Sequence, residues 1–172
     1  MIDDTEVIFP NNIVNVLHTS VPLLDDEIWS VRRPLQSSDP LVAVGIWGGE
    51  VRDDQGSMET GRGAVMGMGR QGMHHGATLT DYIINMQAMV KDGDEERGLA
   101  RHSVLANAIR RMLLFDNTFG LALAALVVER DGWVERTTGR RRIASQRFFN
   151  NEVQGSFTYV ATFEFLLETE TV

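Results

Sequence analysis

A chain of 172 residues, 43% of them apolar and 23% charged, is long enough for one domain with a real hydrophobic core and sits near the soluble globular average. Its net charge of −8 argues against binding nucleic acid through the phosphates, which takes a concentrated basic surface. With no cysteine, disulfides, thiolate metal sites, iron–sulfur clusters and cysteine catalysis are all excluded, and stability must come from packing.

Pro10-Asn11-Asn12 ahead of Ile13, Val14, Val16 and Leu17 predicts a capped first helix ended by Pro22. Residues 23–40, punctuated by Pro34 and Pro40, read as an extended wrapping segment. Residues 41–47 are rich in Val and Ile and read as a short strand. Residues 79–90 form a second strand, with Tyr82, Ile84, Met86, Ala88 and Val90 on one face and Asn85 and Gln87 on the other.

Asp92 and Glu95 then have capping-box spacing, with Asp in place of Ser or Thr. Leu99, His102, Ala106, Ile109 and Leu113 follow at helical steps, with Arg97, Arg101, Arg110 and Arg111 on the outer surface. Asp116-Asn117 closes this helix and caps a short apolar one through Ala125. From Leu126 onward strands meander, with turns at Asp131-Gly132, Thr138-Gly139 and Gln154-Gly155.

The last strand is the clearest: Phe157, Tyr159, Ala161, Phe163, Phe165 and Leu167 alternate with mostly polar neighbours, a pattern that binds a strand to a helix layer. The expectation is a single α+β domain over residues 1–172, an antiparallel or mixed sheet packed against two main helices.

Nine of the sixteen glycines and four of the eight methionines fall between residues 48 and 76. A run without hydrophobic period and with a glycine every few residues is unlike core. Long structureless loops in compact domains tend to be functional or disordered. Met58, Met66, Met68 and Met73 are more apolar surface than a solvated linker needs. Residues 48–78 are therefore expected to form an arm ordered against a partner, with Arg62 and Arg70 among its contact residues.

No window offers the roughly 18 consecutive apolar residues of a membrane span. The acidic start, Met1-Ile2-Asp3-Asp4, lacks the basic and apolar regions of a signal peptide, so the chain is expected in the cytoplasm where it is made. Six carboxylates (Asp3, Asp4, Glu6, Asp25, Asp26, Glu27) precede Arg32. The only basic run is Arg140-Arg141-Arg142, which reads as a solvated hairpin tip or as a contact site. Fifteen arginines stand against the single Lys91. A GC-rich coding sequence is the simplest cause, and it bears on the host rather than on mechanism.

Catalytic patterns are weak. His74-His75 would point to opposite faces of a strand and has no acidic or histidine support nearby, so no metal or other cofactor is expected. A small metal-dependent enzyme using this pair is the rival from a different class, and an acidic N-terminal contact with a host protein is a third reading. Gly61-Arg62-Gly63 and Gly67-Met68-Gly69 lack the strand, helix and βαβ context of a phosphate-binding loop. No nucleophile-elbow sequence occurs. His18 and His102 read as helix residues, His102 as a hydrogen-bonded core histidine.

Several segments occur together in order: Arg33-Pro34-Leu35, Ser38-Asp39-Pro40, Val44-Gly45-Ile46, Met58-Glu59-Thr60-Gly61, Tyr82-Ile83-Ile84-Asn85-Met86-Gln87, Val90-Lys91-Asp92 and Ile109-Arg110-Arg111-Met112-Leu113. With the aromatic last strand they resemble the tail-terminator (tail-completion) proteins of long-tailed bacteriophages, especially phages of actinobacteria. The resemblance implies a non-enzymatic virion subunit, typically a hexameric ring at the head-proximal end of the tail. Such a ring stops tail-tube polymerisation and offers the surface on which the filled head docks. The implied partners are further copies of the chain, the tail-tube protein and a head-completion or connector protein, with genomic DNA passing the lumen without specific binding. Arg140, Arg141 and Arg142 are candidate lumen or interface residues in that setting. Another head–tail joining protein is the nearest alternative.

Overall fold

The computed structural model describes residues 8–52 and 78–172. They form an α+β fold built on one mixed sheet of six strands, β1 (Trp29–Val31), β2 (Val42–Arg52), β3 (Thr78–Asp92), β4 (Val127–Arg130), β5 (Trp133–Val153) and β6 (Ser156–Thr171), in the order β1-β2-β3-β6-β5-β4. Helix α1 (Ile8–Ser20) begins before the predicted cap, with Pro10 in the first turn, where a missing N–H costs nothing. Phe9, Ile13, Val14 and Leu17 are its buried face. A 3-10 turn, Val21–Leu23, ends it at Pro22.

The wrapping segment that follows contains one element the sequence reading missed. Strand β1 (Trp29–Val31) pairs in parallel with β2 (Val42–Arg52). Three residues are too few to show a period. Residues 32–41 then cross the back of the sheet. The Arg33 guanidinium donates to both carboxylate oxygens of Asp39, at 2.6 and 2.9 Å, and Asp39 also accepts from the Gln36 amide at 2.7 Å. The Leu35 amide donates to the Gln87 side-chain carbonyl at 3.1 Å, and Lys91 Nζ donates to the Asp39 carbonyl at 2.8 Å. Gly45 lies directly beneath, where an added Cβ would come within 2.5 Å of the Arg33 carbonyl oxygen.

Strands β3 (Thr78–Asp92) and β6 (Ser156–Thr171) make the centre of the sheet, antiparallel and in unbroken register from Thr78↔Thr171 to Asp92↔Phe157. Opposed residues share a face. Met86 with Phe163, Ile84 with Phe165 and Tyr82 with Leu167 therefore stack on the front, where all six are buried. Helix α2 (Glu95–Phe115) covers this face with Leu105, Ala106, Ile109, Met112 and Leu113. Leu99, expected among them, is half exposed. At the start of the helix the backbone comes so close to the sheet that Gly98 has no room for a Cβ: the Tyr159 ring would lie 2.8 Å away.

The cap differs from the expected box. Asp94 is the N-cap and accepts from the Arg97 amide at 2.8 Å. Asp92 instead receives the Arg97 side chain at 2.6 Å and Arg101 at 3.3 Å. Two residues separate the expected cap from the observed one, and Asp92 is still held by β3. Asp116 does cap α3 (Asn117–Ala124) as expected, accepting from the Phe119 amide at 2.6 Å.

Strands β4 (Val127–Arg130) and β5 (Trp133–Val153) complete the sheet. The predicted turns at Asp131-Gly132 and Gln154-Gly155 form, with positive φ at both residues of each, the geometry that suits a two-residue hairpin. Gly139, read as a third turn, sits inside β5. Its φ of 84° coincides with a register shift between Thr137 and Arg141, so it makes a bulge rather than a reversal. The hairpin-tip reading of Arg140-Arg141-Arg142 is therefore corrected: the triplet lies within a long strand.

Candidate assembly surface

Strand β5 is unlike the rest of the sheet. On its outer side β4 pairs only with residues 133–136; beyond them, among the described residues, that edge carries no strand as far as Val153. None of its 21 residues is buried. Phe148 and Phe149 are adjacent and so point to opposite faces. Phe148, 59% exposed, lies on the front and meets the His102 ring edge-to-face at 5.9 Å. Phe149, 57% exposed, is on the back, and Val153 near the hairpin end is as open.

The arginines of β5 divide by face. Arg141 turns toward the helix layer, where it donates to the Asp116 carbonyl at 3.0 Å and lies 5.5 Å over the Phe119 ring. Burial pushes its guanidinium below the usual arginine value, and among the described residues one guanidinium nitrogen (Nη1) has no hydrogen-bond partner. It fastens β5 to the helices. Among the described residues Arg140 and Arg142 make only long, exposed ion pairs, to Glu168 at 3.3 Å and Asp81 at 3.6 Å. Contacts of this kind are worth little. Arg147, also exposed, has no partner among the described residues.

The opposite border of the sheet carries an acidic turn, while its arginines, Arg32 and Arg33, are engaged by Asn15 and Asp39. Strand β1 is the outermost strand there. Just ahead of it stands the turn Asp25-Asp26-Glu27, exposed and without an ion pair among the described residues. Leu23, Trp29 and Leu41 are exposed apolar side chains along the same border.

Strands β2 and β3 are direct antiparallel neighbours, paired as far as Arg52↔Asp81. A hairpin of this kind closes with two to five residues, yet residues 53–77 join these strands. The expected arm of residues 48–78 is shorter than predicted, since residues 48–52 continue β2 and Thr78 opens β3; the rest, with Met58, Arg62, Met66, Met68, Arg70, Met73 and the pair His74-His75, lies outside the described residues.

Two charge networks hold the frame. Arg33 keeps Asp39 down to about 2, with help from the Gln36 amide. Hydrogen bonds from Arg97, and then from the Asp94 amide, hold Asp92 well below the usual carboxylate range. His102 is buried between Tyr159 and Phe148, and its Nε2 has no partner among the described residues, so the hydrogen-bonded core histidine expected from the sequence is buried but lacks that bond there. Burial pushes its pKa down. Among the described residues no three His, Asp or Glu side chains gather in a metal-binding group, and no helix is long and apolar enough to cross a membrane.

The β5 edge was not singled out from sequence, because its residues do not alternate in the way that flags a half-buried strand. Phe148-Phe149 was the available signal: of two adjacent aromatics on a strand, one must leave the core face. Compared with known protein families and with curated proteins, the chain matches no family model and no curated sequence.

Proposed function

We propose that this chain is a tail-terminator subunit of a long-tailed bacteriophage. Copies form a ring, typically a hexamer, at the head-proximal end of the tail. The ring ends tube polymerisation and gives the head its docking surface. A subunit of this kind needs heterologous contacts that close and surfaces of unlike character. The ordered resemblance of the sequence segments supports the reading, as does the contrast between the two borders of the sheet.

The observation that carries it is the linkage of β2 and β3. Their pairing is complete at Arg52↔Asp81, so residues 53–77 exceed what the hairpin needs. A glycine- and methionine-rich insertion there supplies adaptable apolar contacts to a neighbour without disturbing the sheet. The negative net charge suits a conduit that DNA passes without sticking.

Negative-stain microscopy of the protein, alone and mixed with tubes of its cognate tail-tube protein, tests the reading. Rings with a central pore, or caps at one tube end, are expected. A protein that ignores tube ends returns the choice to another head–tail joining role. Deleting residues 56–72 should leave a folded protein that cannot cap. Tubes still terminated at normal length by the deletion variant would remove the role given to the insertion.

A further inference from the structure

We infer that neighbouring copies of this chain meet edge to edge, the free edge of β5 on one copy lying along the β1 border of the next. This rests on the reading of the chain as a ring subunit, but the contact is testable without the tail.

Three observations converge on it. First, among the described residues β5 offers unpaired backbone from the end of its β4 pairing to Val153, and β1 is the outermost strand at the other border. An edge with unpaired N–H and C=O groups is a template for another strand. Second, each border carries charge that the subunit itself leaves largely unused. Arg140, Arg142 and Arg147 on the β5 edge, where Glu152 is the one acid between residues 137 and 153, complement Asp25, Asp26 and Glu27 ahead of β1, where Arg32 is taken up by Asn15; none of the three acids has an ion pair among the described residues. Third, both borders leave apolar side chains open, Phe149 and Val153 on one, Leu23 and Trp29 on the other.

Arginines and bulges also protect an edge from indiscriminate pairing. That role accounts for the charge and for the register shifts at Thr137/Arg141 and Ile143/Ser145. It does not account for half-exposed aromatics beside them, which a merely protected edge would shed. Because the two borders differ, the contact is heterologous: each copy uses β5 toward one neighbour and β1 toward the other, and the array closes only as a ring. Two copies related by a two-fold axis would instead bring like charges together at both borders.

The test is charge reversal read by sedimentation velocity at low ionic strength. Wild-type protein is expected to self-associate, and more weakly as salt is raised. R140E/R142E/R147E in one variant, and D25K/D26K/E27K in another, should each weaken association by about tenfold or more while leaving the thermal midpoint near wild type. An equimolar mixture of the two should regain it, since each reversed border then meets its complement on the other variant. Wild-type protein that stays monomeric up to its solubility limit overturns the inference, as does unimpaired assembly of either reversed variant or a mixture that fails to recover.

The absence of native cysteine gives a second readout. Glu27→Cys and Arg147→Cys, made in separate proteins and mixed, should be joined by a bismaleimide into mixed dimers, with neither protein cross-linking to itself. Self-linked dimers alone would show a symmetric contact and overturn the assignment. A chain that passes these tests but leaves tubes uncapped would keep the edge contact and lose the terminator reading.

Discussion

Strands β3 and β5 are both long members of one sheet, and they are built for different things. Between Tyr82 and Val90, β3 buries seven of its side chains, with β2 and β6 on its flanks, helix α2 in front and residues 32–41 crossing behind. Among the described residues strand β5 has a full-length partner on one side only, and it buries none of its side chains. Apolar burial is the main favourable term in folding, so the stability of this sheet resides in β2, β3 and β6. What β5 contributes is surface. The difference teaches that length of strand and weight in the core are separate quantities, and that a long strand excused from the core is available for contact.

Phe163→Ala strikes the first half of that contrast hardest. Phe163 is fully buried opposite Met86, and truncating a core phenylalanine costs roughly 3–5 kcal/mol. Denaturant unfolding should show the loss as a lower midpoint. An unchanged midpoint would mean that β6 is not the spine of the core. Gly45→Ala and Gly98→Ala come next, at about 1–3 kcal/mol each from overpacking. At Gly45 the obstacle is the Arg33 backbone carbonyl at 2.5 Å, which cannot swing aside; at Gly98 it is the Tyr159 ring at 2.8 Å. Gly45→Ala should therefore cost the more of the two. The reverse order would show that the crossing of residues 32–41 yields more readily than the seat of α2.

Much of this core was readable from residue pattern alone. Alternation in residues 79–90 and in the last strand gave both central strands and the face each buries, and the spacing of His102, Ala106, Ile109 and Leu113 gave the main helix. The errors have physical causes. A left-handed glycine serves a turn or a bulge equally well, so Gly139 was read as a reversal. Asp92 and Asp94 both stand near the helix start, and only the end of β3 decides which one caps. The β1 border and the β5 edge were invisible because exposed strands lack the burial that imposes a period. Arg140-Arg141-Arg142 was noticed for its charge, but only the bulge tells that Arg141 faces the helices while its neighbours face out.

His102 is where the two halves touch, and it should make their contact sensitive to pH. Its pKa is pushed below the ordinary 6.5 by burial, so the folded chain binds fewer protons than the unfolded one just under that value. Stability should then be level above about pH 6.5 and fall as the pH drops below it, because a charged imidazole would be left unpaired between Tyr159 and Phe148. The Arg33–Asp39 pair acts in a separate window, its contribution present above 3.8 and lost as the pH falls toward about 2. Melting temperatures of the wild type and His102→Phe across pH 5 to 8 separate these. The variant should lose the decline below 6.5, and parallel curves would show that His102 does not titrate in that range.

Phe149→Ala should have the smallest effect on folding and is the sharpest test of the contrast. It removes the same side chain as Phe163→Ala from the same hairpin. Phe149 is 57% exposed on the back of β5, so its loss should move stability by about 0.5 kcal/mol or less. If β5 is kept for contact, the change appears in assembly instead: the sedimentation profile shifts toward the monomer while the unfolding midpoint stays in place. A variant that unfolds early would put part of the core in β5 after all. A variant that neither unfolds early nor dissociates would leave the exposed aromatic without a role at the subunit edge. Stability and association read on this pair of phenylalanines thus assign each half of the sheet its work.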